Sequence, residues 1–284
     1  MKKSFLGEIY YKAFKSGNPL HFFIAINTLI FLLLGVIALI DFFAKTSINS
    51  LLITQLSLPA DLGALVYRPW SLITYMFTQQ AFFHFLFNML WLYWLGLIFL
   101  DFLNSRQFIF TYLAGGLAGA ALFLLLYNLV PSFNTDQAIL IGSSGAVYAV
   151  VVATATLMPD YTIRLLFFGN VRLKYLALAF IILNILGLNG ANIGGNLAHL
   201  GGALLGFVYI LQLRKGNDWS KSFTRKKRSL RVIKNDSPRK SKTTFTNQEY
   251  IDSILDKISQ SGYNSLSKAE KEALFNAGKQ QDQD

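Results

Sequence analysis

Three short polar segments stand inside apolar runs, and together they carry a hydroxyl, two imidazoles and an amide. In HFLFN, residues 84–88, His84 and Asn88 are four apart and so share one helical face. In IGSSGAV, residues 141–147, Ser143 and Ser144 lie between Gly142 and Gly145. In NLAHLGGALLG, residues 196–206, His199 is flanked by Ala198, Gly202 and Gly206. Each has an ordinary structural reading: an interhelical hydrogen-bonding pair, small residues that let helices approach, and a satisfied core histidine. Jointly they supply a nucleophile, a base and two side-chain donors, which is the equipment of acyl transfer. Ser143 and Ser144 are expected near the start of their helix, where backbone N–H groups lack intrahelical partners and the dipole end is positive. No carboxylate within these runs is placed to orient an imidazole, since Asp101 lies at the far end of its segment. That points to a Ser–His dyad rather than a full triad.

The elements that must position these groups are apolar helices. The hydrophobic fraction is 53% and charged residues make up only 14%, well below the ~25% of a soluble domain. Six stretches are apolar enough to be spanning helices, at about 21–41, 81–101, 107–130, 138–158, 172–188 and 195–213. The first is too long for a signal peptide and lacks a small-residue cleavage site, so it is expected to be retained. Lys and Arg cluster before the first stretch, between the fourth and fifth and after the sixth, with Arg106 alone after the second. This bias places both termini on the cytoplasmic side of a cell membrane, with a bacterial inner membrane as the expectation. The absence of cysteine excludes disulfides, a thiol nucleophile and thiolate metal sites. No metal and no cofactor is expected.

The three motifs resemble those of the rhomboid intramembrane serine proteases: HxxxN in the second span, GxSG opening the fourth, and AHxxGxxxG in the sixth. Here they read His84 to Asn88, Gly142-Ser143-Ser144-Gly145, and Ala198-His199 followed by Gly202 and Gly206. The resemblance covers residues 20–213 and implies an all-α polytopic membrane protein, a six-transmembrane-helix rhomboid bundle with a soluble C-terminal tail. By resemblance Ser144 is the nucleophile and His199 the general base. His84, Asn88 and the backbone N–H of Ser144 would line the oxyanion hole, with Gly142, Gly145 and Gly202 in support. Tyr148 would lie against the base. The loop at 188–196 would be a mobile cap. Three departures stand out: Tyr67-Arg68 where the family often has Trp-Arg, Gln79 where many relatives have a further histidine, and Asp101 where Glu is usual. Arg68 is expected to be structural.

The implied activity is a serine endopeptidase that cuts transmembrane protein substrates near the outer side of the membrane. Small or helix-breaking residues near the cut would let the substrate helix unwind. The alternatives are a catalytically silent relative that binds transmembrane helices, and a transporter or channel that uses the same polar residues as a pathway. A transporter would commonly show internal repeats, and the six stretches show none.

The expected organisation is a cytoplasmic N-terminal segment (1–20), the membrane domain (21–213), a basic linker (214–245) and a short helical hairpin (246–284). Residues 214–284 hold 16 of the 26 Lys and Arg, and +7 of the net charge of +11. The net charge is therefore a property of the tail, and no nucleic-acid partner is expected. The run at 214–242, with 12 basic and 2 acidic residues, reads as an ordinary positive-inside stretch or as a tether to anionic membrane lipids. Capping boxes are expected at Thr246 with Glu249 and at Ser267 with Glu270.

Overall fold

The apolar runs of the sequence become helices, and the interruptions between them decide where each begins. The computed structural model describes residues 4–131, 133, 138–165, 169–190, 192–223 and 245–281. The chain divides into two compact units, residues 1–226 and 227–284.

In the first unit, α1 (Phe5–Tyr10) continues into a π-helical turn at Tyr11–Lys15. Helix α2 (Pro19–Ala44) opens with proline at its first position, and the Asn18 side chain accepts from the Leu20 N–H at 2.9 Å. The loop that follows carries α3 (Ile48–Leu56), β1 (Leu58–Pro59), α4 (Leu62–Tyr67), α5 (Ser71–Thr74) and a 3₁₀ turn at Tyr75–Phe77. It is closed on itself by side chains. The Arg68 guanidinium donates to the Thr54 carbonyl, and the Trp70 indole N–H donates to the Gln55 carbonyl at 2.8 Å. Helices α6 (Phe82–Phe102) and α7 (Ser105–Leu129) meet at a capping box formed by Asn104 and Gln107. Then come β2 (Ile139–Leu140), α8 (Ser144–Leu157), the hairpin β3 (Thr162–Leu165) with β4 (Gly169–Arg172), α9 (Leu173–Leu186) and α10 (Ile193–Arg214).

Four of these helices, α2, α6, α7 and α10, are long and apolar enough to cross a membrane. Helices α8 and α9 are apolar but have 14 residues each. At ~1.5 Å per residue that is roughly 21 Å, short of a ~30 Å hydrocarbon layer.

Two boundaries differ from the sequence expectation. The helical run expected from about 138 begins only at Ser144. Residues 139–140 are instead extended and pair antiparallel with Leu58–Pro59. Gly142 has φ +118°, and its N–H donates to the Tyr75 carbonyl at 2.9 Å. The backbone before Ser144 thus takes its hydrogen bonds from the loop rather than from a helix. At the other boundary, α10 begins at Ile193, so part of the expected 188–196 loop is helical. The cause is Asn192, whose side chain accepts from the Gly195 N–H at 3.2 Å. Ala191 lies outside the described residues.

Helices α7, α8 and α10 form the close-packed centre. A Cβ at Gly119 of α7 would lie 2.6 Å from the Ala198 carbonyl oxygen of α10. Cβ atoms at Gly202 and Gly206 of α10 would overlap the carbonyls of Gly145 and Ala149 in α8. The small-residue face read from the sequence therefore sits backbone against backbone. Arg214, at the end of α10, donates to the last carbonyls of α8, Thr156 at 2.7 Å and Leu157 at 3.1 Å.

A polar clasp joins the start of α7 to the segment after α10. The Asp218 carboxylate accepts from Arg106 Nη2 at 2.8 Å, Tyr209 Oη at 3.0 Å and Ser220 Oγ at 2.6 Å. Burial raises the Asp218 carboxyl, but the bonds from Ser220, Tyr209 and Arg106 outweigh it and hold the group below its usual value of 3.8. A folded value below the unfolded one means that the stabilisation is present above the unfolded value and is lost as pH falls through the folded one. Asp218→Ala is expected to cost about 1–3 kcal/mol, seen as a thermal midpoint lower by roughly 3–10 °C at pH 7. The difference from the wild type should shrink as the pH drops below about 4.

The second unit contains α11 (Phe245–Ser261), a 3₁₀ turn at Tyr263–Ser265 and α12 (Lys268–Gln281). Gly262, with φ +77°, ends α11. Ser267 and Glu270 form the capping box expected for α12. Lys257 Nζ donates to Glu270 Oε1 at 2.9 Å, and these bonds hold the Glu270 carboxyl down to about 2. Residues 224–242 of the basic stretch and the Thr246 side chain of the other expected cap lie outside the described residues.

Candidate active site

Ser144 is the first residue of α8, so its hydroxyl stands at the helix N-terminus and its N–H belongs to the turn that has no intrahelical acceptor. Ser143, at the N-cap, is fully buried and makes no side-chain cap bond. His199 lies in the second turn of α10. The backbone contact between Gly145 and Gly202 brings the two helices close enough for their side chains to meet. Ser144 Oγ is 2.6 Å from His199 Nε2.

The imidazole is held on its other sides. The Tyr148 ring, one turn after Ser144, stacks on it with centroids 4.3 Å apart and planes 5° apart. His199 Nδ1 is 2.6 Å from Asn184 Oδ1 of α9. The Asn184 amide nitrogen donates to the Tyr148 hydroxyl at 2.8 Å and to the Phe180 carbonyl at 2.7 Å. Asn184 was not singled out in the sequence. Its one signal is that of an amide inside an apolar run, LALAFIILNIL, where a polar side chain needs a partner or a job.

Ser144, His199, His84 and Asn88 all line one cavity of about 230 Å³, with Trp91 and Phe180 among its apolar walls. Every side chain named from the sequence for the reaction thus reaches the same space. Gly142 is required there twice. Its φ lies in the left-handed region, and a Cβ would come within 3.0 Å of the His84 ring. A larger cavity of about 410 Å³ between α7 and α10 is lined by apolar side chains and, among the described residues, offers no reactive group.

Asn88 ends a buried relay of amides. Its nitrogen donates to Gln79 Oε1 at 3.0 Å, Gln79 donates to Asn27 Oδ1 at 3.0 Å, and Asn27 donates to the Phe23 carbonyl at 2.9 Å and to Tyr112 Oη at 3.0 Å. A backbone carbonyl can only accept, so the Phe23 end sets the direction of every amide in the chain. Asn88 is left with its nitrogen toward Gln79 and one further N–H to offer. Gln79→Leu would strand two buried amides. At ~1–3 kcal/mol for each unsatisfied group, we expect a clear fall in the thermal midpoint, measured on the purified chain in detergent.

A family model described as the rhomboid domain matches residues 66–216, and one described as a family of unknown function, DUF6576, matches residues 241–280. RHOMBOID-like protein 12, mitochondrial, of Arabidopsis thaliana is 31% identical over 161 residues, covering 52% of this chain and 48% of that protein. The chain therefore spans about half the length of this curated relative.

Proposed function

Since the chain belongs to the rhomboid family, we propose that this membrane protein is a serine endopeptidase that cleaves transmembrane protein substrates. The observation that carries this reading is the 2.6 Å contact between Ser144 Oγ and His199 Nε2 in a cavity shared with Asn88 and His84. His199 takes the Ser144 proton as the oxygen attacks a peptide carbonyl. The tetrahedral oxyanion is held by the Ser144 backbone N–H, the free N–H of Asn88 and the His84 ring. His199 then gives its proton to the departing amine, leaving an acyl-enzyme. Water attacks next, with His199 again the base, and the acid product leaves with Ser144 restored. Donors already in place contribute because they need no rearrangement as charge develops.

In this reading the chain crosses the membrane six times, with the short helices α8 and α9 as the fourth and fifth passes. The distribution of Lys and Arg supports cytoplasmic termini. Ser144 and His199, each near the start of its helix, then lie in the outer half of the bilayer. The connection between α9 and α10 serves as the cap over the cavity. The functional regions are those read from the sequence, 1–20, 21–213, 214–245 and 246–284, with Asp218 and Ser220 at the start of the third held to Arg106 of α7, and its basic run serves as an ordinary positive-inside stretch or as a tether to anionic lipids.

The test is cleavage in proteoliposomes of a labelled single-span protein with a Gly-Ala pair at its outer membrane end. Two fragments whose new ends map to that region are expected. Capture of the intact substrate without fragments would instead favour a silent transmembrane-helix binder.

A further inference from the structure

We propose that Asn184 is the positioning residue of this site: its amide oxygen keeps the His199 proton on Nδ1, so that Nε2 is the free acceptor for the Ser144 hydroxyl. The inference deepens the protease reading and rests on it for its kinetic consequence.

A neutral imidazole carries one N–H, and which nitrogen holds it is decided by the neighbours. An asparagine can face a histidine with either end of its amide, so proximity alone decides nothing. Here the ambiguity is removed by the backbone. The Asn184 nitrogen lies 2.7 Å from the Phe180 carbonyl oxygen, which has no proton to give. That end must be the NH₂ group, and the Tyr148 hydroxyl at 2.8 Å accepts its second hydrogen. The oxygen end is therefore the one 2.6 Å from His199 Nδ1. An amide oxygen only accepts, so Nδ1 carries the proton. The lone pair of Nε2 then points at Ser144 Oγ, 2.6 Å away.

The opposite tautomer would set an Nε2–H against the serine and leave Nδ1 facing the amide oxygen, two acceptors in contact. Both consequences oppose general-base catalysis. Asn184 is well suited to this work because it is buried, at 4% exposure, and each of its amide atoms has a partner. Its link to Tyr148 also joins the ring stacked on His199 to the same brace. The dyad inferred from the sequence is on this reading a three-residue chain, Ser144–His199–Asn184, whose third member is a neutral amide from a different helix.

The experiment is ¹⁵N NMR of histidine-labelled full-length protein in lipid vesicles near neutral pH, with the His199 signals assigned by their loss in His199→Ala. It is paired with the rate of labelling by a fluorophosphonate. In the wild type His199 should show a protonated Nδ1 and an unprotonated Nε2. In Asn184→Leu the Nε2–H tautomer should appear, and the labelling rate should fall about 10- to 100-fold, with a thermal midpoint showing that the variant is folded. An Nε2–H tautomer in the wild type would overturn the proposal, and this readout needs no variant to fold. A folded Asn184→Leu that keeps the Nδ1–H tautomer and the wild-type labelling rate would also overturn it. A wild-type chain with the Nδ1–H tautomer that takes no label would instead overturn the protease reading and leave the assignment of the proton standing.

Discussion

Ser144→Ala is expected to reduce cleavage of a transmembrane substrate by at least ~10⁴-fold while the thermal midpoint stays within a few degrees of the wild type. The two halves of this expectation have separate physical grounds. The hydroxyl is the atom that would bond to the substrate carbonyl, and alanine has nothing to replace it. The same hydroxyl plays no part in capping α8, because the residue at the N-cap is Ser143. His199 loses one contact in the variant but keeps Asn184 on Nδ1 and the stacked Tyr148 ring. Product formation in proteoliposomes and thermal denaturation of the same preparation check both halves. A residual rate within about tenfold of the wild type would exclude Ser144 as the nucleophile.

Gly202→Val should damage the fold and the chemistry together. A Cβ at this position would overlap the backbone carbonyl of Gly145, which cannot rotate aside as a side chain could. The helices α8 and α10 must then separate, and Ser144 and His199 are on opposite sides of that contact. Overpacking alone costs about 1–3 kcal/mol and sometimes more. A misplacement of ~1 Å in the reacting groups costs on the order of 10²-fold in rate. The variant is therefore expected to lose at least that much activity and to melt clearly below the wild type. Gly35→Ala is the matched control, since a Cβ there meets nothing within 4 Å. Equal behaviour of the two variants would show that the α8–α10 approach is not what the site depends on.

What could be read from the sequence follows the reach of its signals. Apolar runs and small-residue spacing are local, so the long apolar helices and a close-packing face of α10 at Ala198, Gly202 and Gly206 were foreseen, whereas the short helices α1, α3, α4 and α5 were not. Family membership was legible in three short motifs, which the rhomboid model match over residues 66–216 bears out. The start of α8 was misplaced because its determinants are remote. Leu58 and Pro59 pair with residues 139–140, and Tyr75 accepts from Gly142, across more than sixty residues of chain. Asn184 was missed for a similar reason. It stands 15 residues from His199 on another helix, and a lone amide in an apolar run shows neither its partner nor its purpose. Gln79 was noticed only as the position of an absent histidine, while its bonds to Asn27 and Asn88 depend on the packing of α2 against α6. Length misled in another way. The run expected over 138–158 becomes α8 of only 14 residues, so an apolar run can be longer than the helix it becomes.

The central claim is that His199 turns the Ser144 hydroxyl into a nucleophile. The most direct measurement is peptide mapping by mass spectrometry after the folded chain in lipid vesicles reacts with a fluorophosphonate. A single adduct on Ser144, present in the wild type and absent from folded His199→Ala, is the result predicted. An adduct on another residue, or a Ser144 adduct formed equally well without His199, would contradict it.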